Sequence, residues 1–168
     1  YLMTVFTLGW ATTKLGYTRE QFLLMQMVAV LFFAAWIPVS AMFADRNGRR
    51  LAMILATVAI IVFGLAFGPL LDSGSTGAVF LFLIIGMSVT GLTYGPCGTL
   101  LAEMFPTAVR YTGASLAFNL AGILGAALTP YVAMQLATEY GVGHVGYYLS
   151  AAAVLTLLAL MLMPRNKD

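Results

Sequence analysis

The chain has 168 residues, of which 61% are hydrophobic and only 8% charged, with a formal net charge of +2. Charged residues make up about a quarter of an ordinary soluble domain, so this composition excludes a water-soluble core and makes the bilayer the expected solvent. The basic residues are dispersed apart from one cluster, which excludes a nucleic-acid surface, and one cysteine and one histidine (Cys97, His144) exclude a disulfide framework and a histidine-based metal site.

In chain order, residues 1–13 are uncharged but shorter than the about 20 residues that cross a bilayer as a helix. They read as the second half of a helix. No signal-peptide pattern is visible, so the chain reads as a piece of something longer. Gly16 and Thr18 supply the turn and cap of a loop over residues 14–20. Whole spans are expected over about residues 21–44, 51–71, 79–101, 111–136 and 145–163, where Asp, Glu, Lys and Arg are absent from the middle of every run. Polar loops are expected at 45–50, 68–75, 103–110 and 138–144, with a short tail over 164–168. The expected fold is all-α: a polytopic six-helix membrane bundle, its first helix incomplete, occupying the whole of residues 1–168.

The stretch Asp45-Arg46-Asn47-Gly48-Arg49-Arg50 holds three of the eight basic residues. Loops rich in Lys and Arg stay on the cytoplasmic side. If this one does, alternation puts Arg110, Arg165 and Lys167 there too, leaving only Lys14 and Arg19 on the far side. The C-terminus is then cytoplasmic.

With no charge in mid-span, no intramembrane proton relay is expected here, and any proton-coupling acid belongs to another part of the protein. Uncharged polar groups do fall in phase. At 100° per residue Gln26, Phe33, Trp36 and Ser40 lie within about 80° on one helix. Thr90, Tyr94 and Cys97 share a face on another, and so do Ser115, Asn119, Gly122 and Ala126 on the next. Gln26, Trp36, Tyr94, Ser115 and Asn119 are therefore candidates for lining a solute cavity, the alternatives being inter-helix hydrogen bonding and core packing. Cys97 reads as a small packing residue. Gly91 and Gly95, and Gly113, Ala117, Ala121 and Gly125, recur every four residues, a spacing that lets helices approach closely. The second ladder lies about 200° around its helix from Asn119.

The run Ala41-Met42-Phe43-Ala44-Asp45-Arg46-Asn47-Gly48-Arg49-Arg50 resembles the loop signature Gly-x-Leu-Ala-Asp-Arg-x-Gly-Arg-Arg of the major facilitator superfamily, with Ala41 for the first Gly and Phe43 for Leu. Glu103-Met104-Phe105-Pro106-Thr107-Ala108-Val109-Arg110 resembles the loop after that superfamily's tenth helix. The resemblance implies that the chain is the C-terminal half, helices seven to twelve, of a twelve-helix transporter, the N-terminal half being absent. It further implies a cytoplasmic charge latch of Asp45, Arg46, Gly48, Arg49, Arg50, Glu103 and Arg110, in which Glu103 pairs with Arg46 or Arg49 beside Arg110. The wording around Tyr94-Gly95-Pro96, Tyr111-Thr112-Gly113-Ala114-Ser115 and Asn119-Leu120-Ala121-Gly122 is similar to bacterial metabolite:proton symporters, which carry shikimate, 2-oxoglutarate, citrate, proline or betaine.

The implied function is proton-coupled transport of a small organic acid or zwitterion by alternating access across the bacterial inner membrane. The implied partners are the solute, a proton, the lipid bilayer and the other half of the transporter, without nucleic acid, cofactor, metal or catalytic residue. A sugar porter of the same superfamily is the alternative, although residues 1–13 lack the Gln and Asn residues typical of its seventh helix. A non-transporting membrane sensor or scaffold is the alternative of another class.

Overall fold

The structure is a computed structural model that describes residues 1–162, apart from the side chain at position 126. The tail with Arg165 and Lys167 lies outside the described residues, as does the side chain of Ala126. All regular structure among the described residues is helical. A π-helical segment, Leu2–Phe6, runs into α1 (Thr7–Thr13). Then come α2 (Arg19–Asn47), α3 (Arg49–Leu71), α4 (Thr76–Glu103), α5 (Arg110–Tyr140) and α6 (Val142–Leu162). The five helices α2 to α6 are each long and apolar enough to cross a membrane.

The helices outrun their expected spans, and two expected loops nearly vanish. Asp45, Arg46 and Asn47 form the last turn of α2 and Arg49 opens α3, leaving Gly48 alone between them at φ 96°. In the same way Gly141, at φ 92°, is the only residue between α5 and α6. A positive φ of this kind is open to glycine and costly for a residue with a Cβ. The reason for the difference is physical. A charge marks where a helix leaves the hydrocarbon, not where its hydrogen bonding stops. The 29 residues of α2 extend about 44 Å at 1.5 Å per residue, against a hydrocarbon core of about 30 Å. The start of α2 obeys local rules: Thr18 Oγ1 accepts from the Gln21 N–H at 3.3 Å while Gln21 Oε1 accepts from the Thr18 N–H at 3.4 Å. Pro38, Pro69, Pro96 and Pro130 sit inside helices that continue past them, as neighbouring helices allow in a membrane.

Lipid tails are as apolar as leucine, so helices in a bilayer are held by close packing and hydrogen bonds instead of by transfer out of water. Two seams carry that packing. α2 packs chiefly on α4, and α3 on α6. On the first, a methyl group at Gly91 would collide with the Phe33 carbonyl, and one at Gly95 with Ser40; the Ser40 hydroxyl lies 3.4 Å from the Gly91 carbonyl. On the second, Gly64 and Gly146 leave no room for a Cβ on either side, and the Gly143 backbone stands 2.8 Å from where Gly68 would carry one. The Ser150 hydroxyl donates to the Ile61 carbonyl across this seam at 3.1 Å. Between the first helix, α3 and α4 lies an aromatic core of Phe6, Phe63, Phe67 and Phe82, with the Phe67 and Phe82 rings edge-on at 4.7 Å.

The small-residue ladder expected on α5 is corrected by the structure. Gly113 accommodates the Phe105 ring from the preceding turn, and not a helix. Gly125 has nothing within 4 Å of a built Cβ, and Ala121 is exposed. Among the described residues this face of α5 packs on no other helix, because α5 touches α6, α4 and the first segment only sparsely.

Candidate functional site

At the end of the bundle where α2 gives way to α3, one arginine joins three elements. Arg49, in the first turn of α3, forms an ion pair with Glu103, the last residue of α4. Its other side faces Asp45 in the last turn of α2, 3.7 Å away. The side chains of Arg49 and Glu103 are 35% and 43% exposed, so the pair is hydrated and worth no more than about 1 kcal/mol. Gly48 matters here because its one-residue turn, at positive φ, joins the last turn of α2 directly to the first turn of α3 and so keeps Asp45 beside Arg49.

The other basic residues of the expected latch go elsewhere. Arg50 Nη2 donates to the Met161 carbonyl at 2.9 Å, in the last turn of α6, where a cation complements the helix C-terminus. Its Nε is buried without a partner among the described residues. Arg110 Nε donates to the Phe105 carbonyl at 3.4 Å, bracing its own turn. Arg46 is exposed and makes no ion pair among the described residues.

The five candidates for cavity lining divide. Trp36 and Tyr94 are partly exposed, 38% and 53%, on the α2–α4 seam, where Phe33 meets Tyr94 edge-on at 5.2 Å. Ser115 and Asn119 are exposed on α5, the Asn119 amide donating to the Ser115 carbonyl at 2.8 Å. Among the described residues the amide thus bonds its own helix and joins no other. Gln26 is a correction: it is 7% exposed, and its amide nitrogen bonds the backbone of the first helical segment. It faces inward because the partner helix lies on that side of α2. An open cavity of about 490 Å³ bounded by Ala102, Thr107, Arg110, Tyr111, Ala114 and Ser115 connects the charged end with the polar face of α5. No group of three or more metal-ligating side chains occurs among the described residues.

The sequence model of the family described as "Sugar (and other) transporter" matches residues 10–167. The chain belongs to this family, within the major facilitator superfamily. Among curated relatives of this superfamily, the chain is similar to the inner membrane metabolite transport protein YhjE of Escherichia coli, 51% identical over 96% of this chain and 38% of that protein. It is also similar to the Escherichia coli shikimate transporter, at 29% over 97% and 38%, and to that organism's proline/betaine transporter, at 28% over 94% and 32%. The chain therefore spans about two fifths of the length of the curated relatives it matches first. No solved structure is a significant match.

As a major facilitator chain it is a multi-pass membrane protein. Sequence reasoning missed two of its features. The α3–α6 seam was available in the spacing of Gly64 with Gly68 and of Gly146 with Ser150, the same four-residue rule applied to α4 and α5. The π turn was not available, since phase angles at 100° per residue presuppose the α register.

Proposed function

We propose that the full-length protein is a secondary transporter. It moves a small organic metabolite, an organic acid or zwitterion, across the bacterial inner membrane in symport with a proton. Two helical bundles rock about a midplane solute site. The observation that carries this reading is the Arg49–Glu103 pair, which ties the start of α3 to the end of α4 at the arginine-rich end of the bundle. The printed functions of the relatives support the solute class. The arginine-rich end is cytoplasmic in this reading, which puts Arg165 and Lys167 on the same side.

The pair acts as a latch. It holds the cytoplasmic face closed, with Asp45 keeping Arg49 aimed at Glu103, and it separates when that face opens. Trp36, Tyr94, Ser115 and Asn119 are the residues of this half that meet solute. None is charged, so the counter-charge for an anionic solute and the proton-coupling acid lie outside residues 1–168.

The test is uptake of radiolabelled shikimate, proline, glycine betaine and 2-oxoglutarate by cells making the full-length protein, with and without an uncoupler. Uptake of at least one that collapses with the uncoupler is expected. Glu103→Gln and Arg49→Gln should each slow it by up to about fivefold, roughly 1 kcal/mol of imbalance between states, and the exchanged pair Arg49→Glu with Glu103→Arg should recover most of the rate. Uptake indifferent to the proton gradient removes the coupling. Unchanged rates in both single variants remove the latch.

A further inference from the structure

The first helical segment is wound in two registers, and one buried amide sits where they meet. The Thr7 N–H bonds the Leu2 carbonyl, five residues back, and the Phe6 N–H reaches the Tyr1 carbonyl at 3.2 Å. In an α-helix the Thr7 N–H would use the Met3 carbonyl. That carbonyl is thereby freed, and two side chains take it. The Thr7 hydroxyl donates to it at 2.6 Å, and Gln26 Nε2 of α2 lies 3.2 Å away. The same nitrogen is 3.0 Å from the Thr4 carbonyl and 3.2 Å from the Thr7 hydroxyl. On the opposite side Gly86 of α4 makes room for the Met3 side chain, whose terminal atoms occupy the space a Cβ there would need. The widened turn is thus seated between a donor on α2 and a hollow on α4.

The two registers present different faces. Converting the π turn to α winding removes one residue from the turn and rotates the backbone before it by about 100° relative to α1. Tyr1, 63% exposed, and Leu2, 8% exposed, could not keep those environments. In the α register the Met3 carbonyl returns to the Thr7 N–H, and Gln26 is left with fewer acceptors in a buried place. An unmatched buried polar group is costly, so the amide favours the π winding.

We propose that Gln26 is a register clamp. Its neutral amide supplies the hydrogen bond that holds Leu2–Phe6 in π winding and so sets the balance between two windings of the first helix, which makes it a positioning residue for transport. The clamp is separate from the ionic latch. It involves no charged group and lies on the far side of α2's midpoint from Asp45.

The test uses the full-length protein in lipid nanodiscs and follows backbone hydrogen exchange by mass spectrometry, each variant read as a ratio to the unsubstituted protein at the same pH. Gln26→Leu should speed exchange in residues 2–7 about tenfold and leave peptides of α3 and α6 unchanged. Gln26→Glu discriminates clamp from filler, because a carboxyl group of nearly the same shape carries an O–H donor only when protonated. At about pH 5 it should match the parent, and at about pH 9 it should match Gln26→Leu. Uptake in the same variants should follow exchange. Two outcomes overturn the proposal. One is exchange in residues 2–7 that is the same in Gln26→Glu at both pH values. The other is loosening in Gln26→Leu spread equally over α3 and α6, which marks Gln26 as packing alone.

Discussion

α3 and α5 are built from similar material and end in opposite situations. Both carry small residues four apart: Gly64 and Gly68 on α3, Gly113, Ala117, Ala121 and Gly125 on α5. In its apolar window α3 is 39% buried and α5 only 6%. The difference lies in the opposing surface. Gly64 and Gly68 meet Gly146, Ser150 and Gly143, which are equally small, and the backbones close to contact. Gly122 and Gly125 meet nothing within 4 Å. Four-residue spacing is permission for two helices to approach; the approach happens only where a second smooth face arrives. The chain spans about two fifths of its relatives, and what covers the open face of α5 is a question for experiment.

Four substitutions break or sharpen that contrast. The largest effect is expected from Gly64→Leu. Its side chain would enter the Ser150 hydroxyl and the Gly146 backbone, an overpacking cost on the order of 3 kcal/mol or more. The full-length protein should lose its monodisperse peak in detergent size-exclusion chromatography. Next is Ala121→Leu, which should leave that peak intact and slow uptake about tenfold if the open face of α5 slides against another bundle; wild-type uptake would mean that it faces lipid. Arg50→Ala, which removes the donor to the Met161 carbonyl, should lower the thermal midpoint in detergent by a few degrees, about 1 kcal/mol, with uptake little changed. The smallest is Gly125→Ala. With open space around it, it should gain or lose no more than about 1 kcal/mol in the same melt.

Much of the fold could be read because charge is so scarce. Its absence over residues 21–44 and 51–71 marks the spans without any appeal to periodicity. Boundaries were less legible, since the charges of Asp45 and Arg46, which mark the expected end of the span, lie within α2. The pairing of Arg49 with Glu103 is 54 residues apart in sequence, and only resemblance pointed to it. Phase angles placed Gln26, Trp36 and Ser40 in one sector of α2, but Gln26 and Ser40 are buried and Trp36 is not. An 80° sector is wide enough to hold both the edge of a helix contact and the rim of an open face, and nothing in a single sequence says where one stops.

The single residue between α2 and α3 bears on how the protein is assembled. With only Gly48 as linker, α2 and α3 are expected to enter the bilayer together, as a single tethered pair. Yet they are reserved for different partners: α2 packs mainly on α4, and α3 mainly on α6. Ile61 must wait for Ser150, 89 residues further on, and Gly64 for Gly146. The newly inserted hairpin is therefore a tethered pair with unsatisfied faces, and the α3–α6 seam is the last joint to close. Substitutions there act on the finishing of the bundle and not on its insertion, so they should yield a protein that reaches the membrane in full amount and is cleared from it afterwards.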